Sequence, residues 1–270
     1  MKQHQSSQPI GIFDSGIGGL TVANAILDAL PNESIIYFGD TAHLPYGDKS
    51  GDAIRYYCLK IVKFLLEKNC KMIVIACNSA SSAAYQVLLD FFKDEALFVN
   101  VVDPLVQDVA KQNFKEVGVI ATKATISTNI YKRKLEELQP NVVVDQLATP
   151  LLAPMIEEGF VANNISKAVL ENYLSHPDLK NIDALLLACT HYPLIRSAID
   201  DFYQHKIKVY DSTIVVAEEV KRLLLANQLL NTGTEPRHHF YVSDYTDSFE
   251  QTTQVFFGKS IHLEYEPIWQ

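Results

Sequence analysis

Residues 73–81 read IVIACNSAS and residues 185–193 read LLLACTHYP, 112 positions further on. Each is a short apolar run that ends in Ala-Cys and opens into polar residues. A second pair repeats at a similar offset: GIFDS at 11–15 and GVIAT at 118–122 lie 107 residues apart. Two such strand-turn-helix pairs, recurring in the same order, read as a duplicated unit. Comparable apolar runs punctuate the chain: PIGIF, SIIYFG, KMIVIA, LFVNVV, EVGVIA, VVVDQL, ALLLA and KIKVY. Strands covered on both faces by crossover helices are apolar throughout rather than alternating, so these runs predict parallel sheets in an α/β fold. Helical segments separate them. TVANAILDAL stops before Pro31, and DAIRYYCLKIVKFLLEK carries Ile54, Tyr57, Cys58, Ile61, Phe64 and Leu65 at helical spacing. Doubly wound architecture follows. Ligands of such sheets bind beyond the carboxyl ends of the strands. If two units face each other, the loops DSGIGG, ACNSAS, ATKAT and ACTHYP line one cleft.

The totals set the outer limits. With 270 residues, 48% of them hydrophobic and 20% charged, the chain suits two modest globular domains. Its 32 acidic and 23 basic residues give a formal charge of −9, and no basic run is present to follow a phosphate backbone, which argues against a nucleic-acid partner. The stretches IVIA and ALLLA fall far below the roughly 20 residues that cross a bilayer, and the leader MKQHQSSQP is polar. A soluble protein without membrane association or a signal peptide is expected. Four cysteines without a CxxC pair do not read as a disulfide framework. A reducing cytoplasm, with free thiols, fits best.

Cys77 and Cys189 each follow an apolar strand and an alanine and precede a polar residue suited to start a helix. Unpaired N–H groups at a helix start favour a thiolate and can bring a thiol below its free value of about 8.5. Either cysteine can therefore be a base or a nucleophile. Packing at a strand end is the competing role, and for one cysteine alone it is the better one. Equivalent places in a repeat favour chemistry for the pair. Cys58, on an apolar helical face, and Cys70, near a turn, read as packing residues.

The loop DSGIGG at 14–19 matches neither GxGxxG nor the phosphate loop GxxxxGK[ST]. Asp14 and Ser15 beside open backbone suit an amine or an acidic proton, or they cap a helix. In GDTAHLPYG at 39–47, Asp40, Pro45, Tyr46 and Gly47 form a turn whose N–H groups can meet a carboxylate, or an ordinary turn. His191, two residues beyond Cys189, can hold or shuttle a proton. Thr122 and Thr125 can bind a carboxylate or cap the helix after them. Cys77, Cys189 and His191 also invite a zinc reading, but CxH spacing at a strand end is unusual for a structural site.

Together, IGIFDSGIGGLTV, YFGDTAHLPYG, IACNSAS, GVIATKATI and LLLACTHYPLI resemble the glutamate racemases of the cofactor-independent aspartate/glutamate racemase superfamily, from about Ile10 to at least Tyr210. The resemblance implies two pseudo-symmetric α/β domains with the active site in the cleft between them, the second (98–207) inserted in the first (1–97 plus 208–270). It implies a reaction without metal or cofactor in which Cys77 and Cys189 exchange a proton with glutamate. The second cysteine is the one expected to deprotonate L-glutamate. Asp14 would assist Cys77, and His191 with a glutamate of the PMIEEG segment would assist Cys189; Glu157 is preferred to Glu158. Substrate contacts carry over to Asp14, Ser15, Pro45, Tyr46, Gly47, Asn78, Ser79, Thr190 and His191, with Thr122 and Thr125 as further contacts. Ser79 departs from the family's more frequent threonine but keeps the hydroxyl. The ends, 1–9 and beyond about 230, match no motif. An aspartate or hydantoin racemase, or an amino-acid-binding domain without catalysis, are the competing functions, and a homodimer is an assembly the resemblance allows. The implied role is supply of D-glutamate for peptidoglycan in a bacterial cytoplasm.

Overall fold

All eight apolar runs become strands in the computed structural model, which describes residues 4–233 and 235–270; the first three residues of the polar leader lie outside the described residues. They are β1 (Ile10–Asp14), β2 (Ile35–Gly39), β3 (Met72–Ile75), β4 (Leu97–Asn100), β5 (Glu116–Ala121), β6 (Val143–Ala148), β7 (Ala184–Ala188) and β8 (Lys208–Asp211). The tail adds β9 (His238–Val242) and β10 (Glu264–Tyr265). One sheet runs β10-β9-β2-β1-β3-β4 and the other β6-β5-β7-β8, with parallel pairing throughout. Without β9 and β10, the two sheets share one strand order: the duplication seen in the sequence is a duplication of topology.

That order decides where a site can form. From β1 the chain winds outward to β2 and then back across to β3, so a crevice opens beyond the carboxyl ends of β1 and β3. The second unit repeats this at β5 and β7. Asp14 ends β1 and Cys77 follows β3; Thr122 follows β5 and Cys189 follows β7. The four loops are therefore topological equivalents.

Burial explains the apolar runs. Every residue of β1, β2, β3 and β7 is buried, with helices on both faces excluding water. One apolar cluster runs through both units, from Ile12 and Val74 to Leu185 and Leu187. Helices Leu20–Ala29 and Thr213–Ala226 contribute Val22, Ile26, Val216 and Val220 to it, which joins the units across the interface.

The division between units falls later than the sequence suggests at both crossings. Residue 98 lies within β4, which pairs with β3 in the first sheet (Ile73↔Phe98), and residue 208 begins β8, which pairs with β7 in the second (Leu185↔Val209). Sheet membership of an edge strand depends on its pairing partner, and the apolar run itself carries no record of which sheet that partner is in.

At the amino ends of the strands lies a buried ion pair. Lys71 Nζ donates to Glu33 Oε2 at 2.6 Å and to the carbonyl of Leu229 at 2.9 Å, and Glu33 Oε1 accepts from Asn231 N at 2.8 Å. Neither side chain exceeds 1% exposure. The pair ties the segment that follows helix Thr213–Ala226 to the base of the first sheet. Among the described residues, no helix is long and apolar enough to cross a membrane.

Candidate active site

Cys77 is the N-cap of helix Asn78–Phe92, in extended backbone conformation, and its Sγ accepts from Ala80 N at 3.4 Å. The thiol also approaches Ser15 Oγ, donating at 3.7 Å. The helix start is where the sequence puts it, but its effect on the thiol is outweighed. Burial and then the nearby Asp14 carboxyl push Cys77 up to about 12, against the smaller opposing pull of Ala80 N–H and Ser15. Cys77 therefore rests as a thiol. Asp14 is itself buried: Oδ2 accepts from Gly16 N at 3.1 Å, and Oδ1 has no hydrogen-bond partner among the described residues. Burial raises its carboxyl above the ordinary value.

Cys189 sits differently. After it the chain forms a single 3-10 turn, Tyr192–Ile195, rather than a long helix. Its distinctive neighbour is His191, whose Nδ1 lies 3.6 Å from Cys189 Sγ and 3.4 Å from Thr190 Oγ1. The other ring nitrogen, Nε2, is 2.7 Å from Glu157 Oε1 at the end of helix Leu152–Glu157, whereas Glu158 is exposed. Burial works against an imidazolium here, but the bonds to Cys189 and Glu157 outweigh it and bring His191 to about 10. Thiol, imidazole and carboxylate thus form one proton-carrying array. Gly18 of the first unit allows it to fit: a Cβ there would lie 2.3 Å from His191 Cε1 and 2.6 Å from Thr190 Oγ1.

Between the two cysteines is a cavity of about 260 Å³. Its wall includes Ser15, Pro45, Tyr46, Gly47, Asn78, Ser79, Thr122, Glu157, Thr190 and His191 with both thiols. Ser79 Oγ meets Thr122 Oγ1 at 2.9 Å across the units, and Thr122 Oγ1 also accepts from Thr125 N at 3.3 Å as the cap of its helix. The two readings of Thr122 are thus compatible, one hydroxyl capping a helix and lining the cavity. Thr125 and Asp14 stand behind this wall. Asn78 accepts from Tyr131 OH at 2.6 Å through Oδ1, and its buried Nδ2 has no hydrogen-bond partner among the described residues. A free donor of that kind suits a ligand carboxylate.

The Asp/Glu/Hydantoin racemase profile matches residues 20–220, most of the chain. The chain belongs to the Asp/Glu/hydantoin racemase family. It is 41% identical to a glutamate racemase of Chlorobaculum tepidum over 97% of both chains, and 38% identical to one of Neisseria meningitidis serogroup C over 94% of both. The crystal structure of the Francisella tularensis glutamate racemase in complex with D-glutamate superposes with a TM-score of 0.92, at 39% identity, covering 98% of this chain and 99% of that one. As a racemase, this chain is an isomerase, and the two-unit α/β architecture is that of its relatives.

For this racemase the sequence anticipated most of the cavity wall and missed Leu44, Ala153 and Pro154, which line it, and Tyr131, which orients Asn78. Tyr131 lies in a segment with helical character only, so nothing in the string singles it out. Cys58 and Cys70 are buried among apolar side chains, as their setting in the sequence suggests. Among the described residues, no group of three or more His, Cys, Asp or Glu side chains is arranged to hold a metal ion.

Proposed function

We propose that this racemase interconverts L- and D-glutamate by proton transfer between two thiols. The observation that carries the reading is that Cys77 and Cys189, at equivalent strand ends of a duplicated unit, face the same cavity. Racemisation removes the α-proton from one face and returns a proton to the other, which needs two flanking groups in opposite protonation states. Starting from L-glutamate, the Cys189 thiolate takes the α-proton and the electron pair passes into the α-carboxylate. The Cys77 thiol then delivers its proton to the opposite face, giving D-glutamate and a Cys77 thiolate. The high value of Cys77 supports its role as the initial donor. His191 and Glu157 hold and return the proton at Cys189, and Asp14 does so at Cys77. The atoms balance on the protein's own groups, so the proposed reaction uses no cofactor.

The weak acidity of the α-carbon is offset by donors aimed at the carboxylate: Asn78 Nδ2, the hydroxyls of Ser79, Thr122 and Thr190, and the N–H groups that open helix Asn78–Phe92. Pro45, Tyr46 and Gly47, with Ser15, take the far carboxylate. Glutamate rather than aspartate is supported by the relatives, named glutamate racemases over nearly their whole length. The product serves peptidoglycan synthesis in the cytoplasm.

Purified, cofactor-free protein incubated with L-glutamate or L-aspartate and followed by polarimetry tests this. Loss of rotation with glutamate is expected, abolished in Cys77→Ala and in Cys189→Ala. No racemisation of glutamate, or activity surviving either substitution, contradicts the proposal.

A further inference from the structure

The tail of the chain carries no sequence motif, yet it reaches the wall of the cavity. The link is Asp40, fully buried just beyond β2. Its Oδ2 accepts from Tyr46 OH at 2.6 Å; its Oδ1 accepts from Ser243 Oγ and Trp269 Nε1, both at 2.8 Å. His43 Nδ1 stands 3.0 Å from the same Oδ1. Ser243 follows β9 and Trp269 is the penultimate residue. The Trp269 ring meets His43 and Tyr57 edge-on, with centroids 4.5 and 5.5 Å away, and Lys60 Nζ sits 4.9 Å from its centre.

A buried carboxylate is strongly oriented by its donors, because each bond is made in a low dielectric and an unmade one is costly. With Ser243 and Trp269 on one oxygen, the other is aimed at Tyr46. Burial, then Cys58 and Asp40, raise the Tyr46 hydroxyl far above its ordinary value, so it stays a donor. Tyr46 and its neighbours Pro45 and Gly47 line the cavity.

We propose that Trp269 is a positioning residue for the substrate cavity: its indole N–H holds Asp40 in the orientation that seats Tyr46 and with it the Pro45–Gly47 wall. The inference rests on reading this cavity as the glutamate site. Trp269→Phe isolates the N–H, since an aromatic ring remains to pack on His43 and Tyr57.

The test is steady-state racemisation by wild type, Trp269→Phe, Tyr46→Phe and the double variant. Trp269→Phe is expected to raise KM for both enantiomers about three- to tenfold, a modest share of one buried hydrogen bond, with kcat within about twofold. In the Tyr46→Phe background the same change adds less than about 1.5-fold, the non-additivity of residues acting in series. Trp269 is the sole tryptophan, so its emission reports the network directly, and Tyr46→Phe is expected to shift it. An unchanged KM in Trp269→Phe, an equal increment in both backgrounds, or unaltered emission in Tyr46→Phe overturns the inference. An inactive wild type would instead overturn the reading of the cavity itself.

Discussion

His191 Nε2 and Glu157 Oε1 meet at 2.7 Å on the wall of the cavity, while the opposite ring nitrogen faces the Cys189 thiol. This arrangement keeps an imidazolium well past neutrality, to about pH 10. The stability it contributes is fully present below the ordinary histidine value of 6.5 and is lost as pH rises through about 10.

Glu157→Gln removes the carboxylate and keeps the shape. We expect kcat/KM to fall about 10- to 100-fold, below the roughly 10²- to 10⁴-fold of a direct acid–base group because Glu157 acts through His191. The loss must be equal from L- and D-glutamate, because the equilibrium constant between enantiomers is one. The alkaline loss of activity moves to lower pH, since His191 then gives up its proton sooner. A pH–rate profile in both directions checks this; an unmoved alkaline limb would count against the array.

Gly18→Ala drives a methyl group into His191 and Thr190 at 2.3–2.6 Å. Because the two sides belong to different units, the strain is relieved by displacing the histidine. Activity is expected to drop at least about 100-fold, the scale of a 1 Å misplacement near the chemistry, with folding retained. Racemisation and thermal melting measured together separate this from unfolding.

Both the repeat and the pair of strand-end cysteines on the cavity were legible because each has a local signature: an apolar run ending in Ala-Cys, occurring twice. The two strands of the tail, β9 and β10, were not. His238–Val242 begins with two exposed histidines and lacks the apolar run that marks the central strands. Tyr131 and Trp269 were also silent, since each acts through one hydrogen bond to a residue far away in sequence, Asn78 or Asp40. The lowering that a helix start can give a thiol is outweighed at Cys77 because the same fold buries it, and burial is the larger effect.

Lys71 and Glu33 lie at the end of the first sheet away from the cavity. Glu33→Gln leaves a buried ammonium without its counter-charge and is expected to cost about 3–5 kcal/mol of stability. Racemase activity at 25 °C stays near wild type while the protein is folded. Chemical denaturation measures the first and an activity assay the second; full stability in the variant would show the pair to be dispensable.

Ser79 holds its place through a hydroxyl contact of 2.9 Å with Thr122 across the units. Ser79→Thr keeps that group and should leave KM within about twofold, whereas Ser79→Ala should raise KM about fivefold or more, the worth of one neutral hydrogen bond. Equal KM values for the two variants would remove Ser79 from the binding wall.

The two-thiol account is tested most directly by racemising L-glutamate in D2O and analysing both enantiomers by mass spectrometry before equilibrium. If one thiol removes the α-proton and the other, carrying a solvent deuteron, delivers to the opposite face, nearly every D-glutamate formed carries one α-deuterium while unreacted L-glutamate remains protiated. D-glutamate that keeps the original proton would mean that a single group both takes and returns it, and would contradict the two-base mechanism.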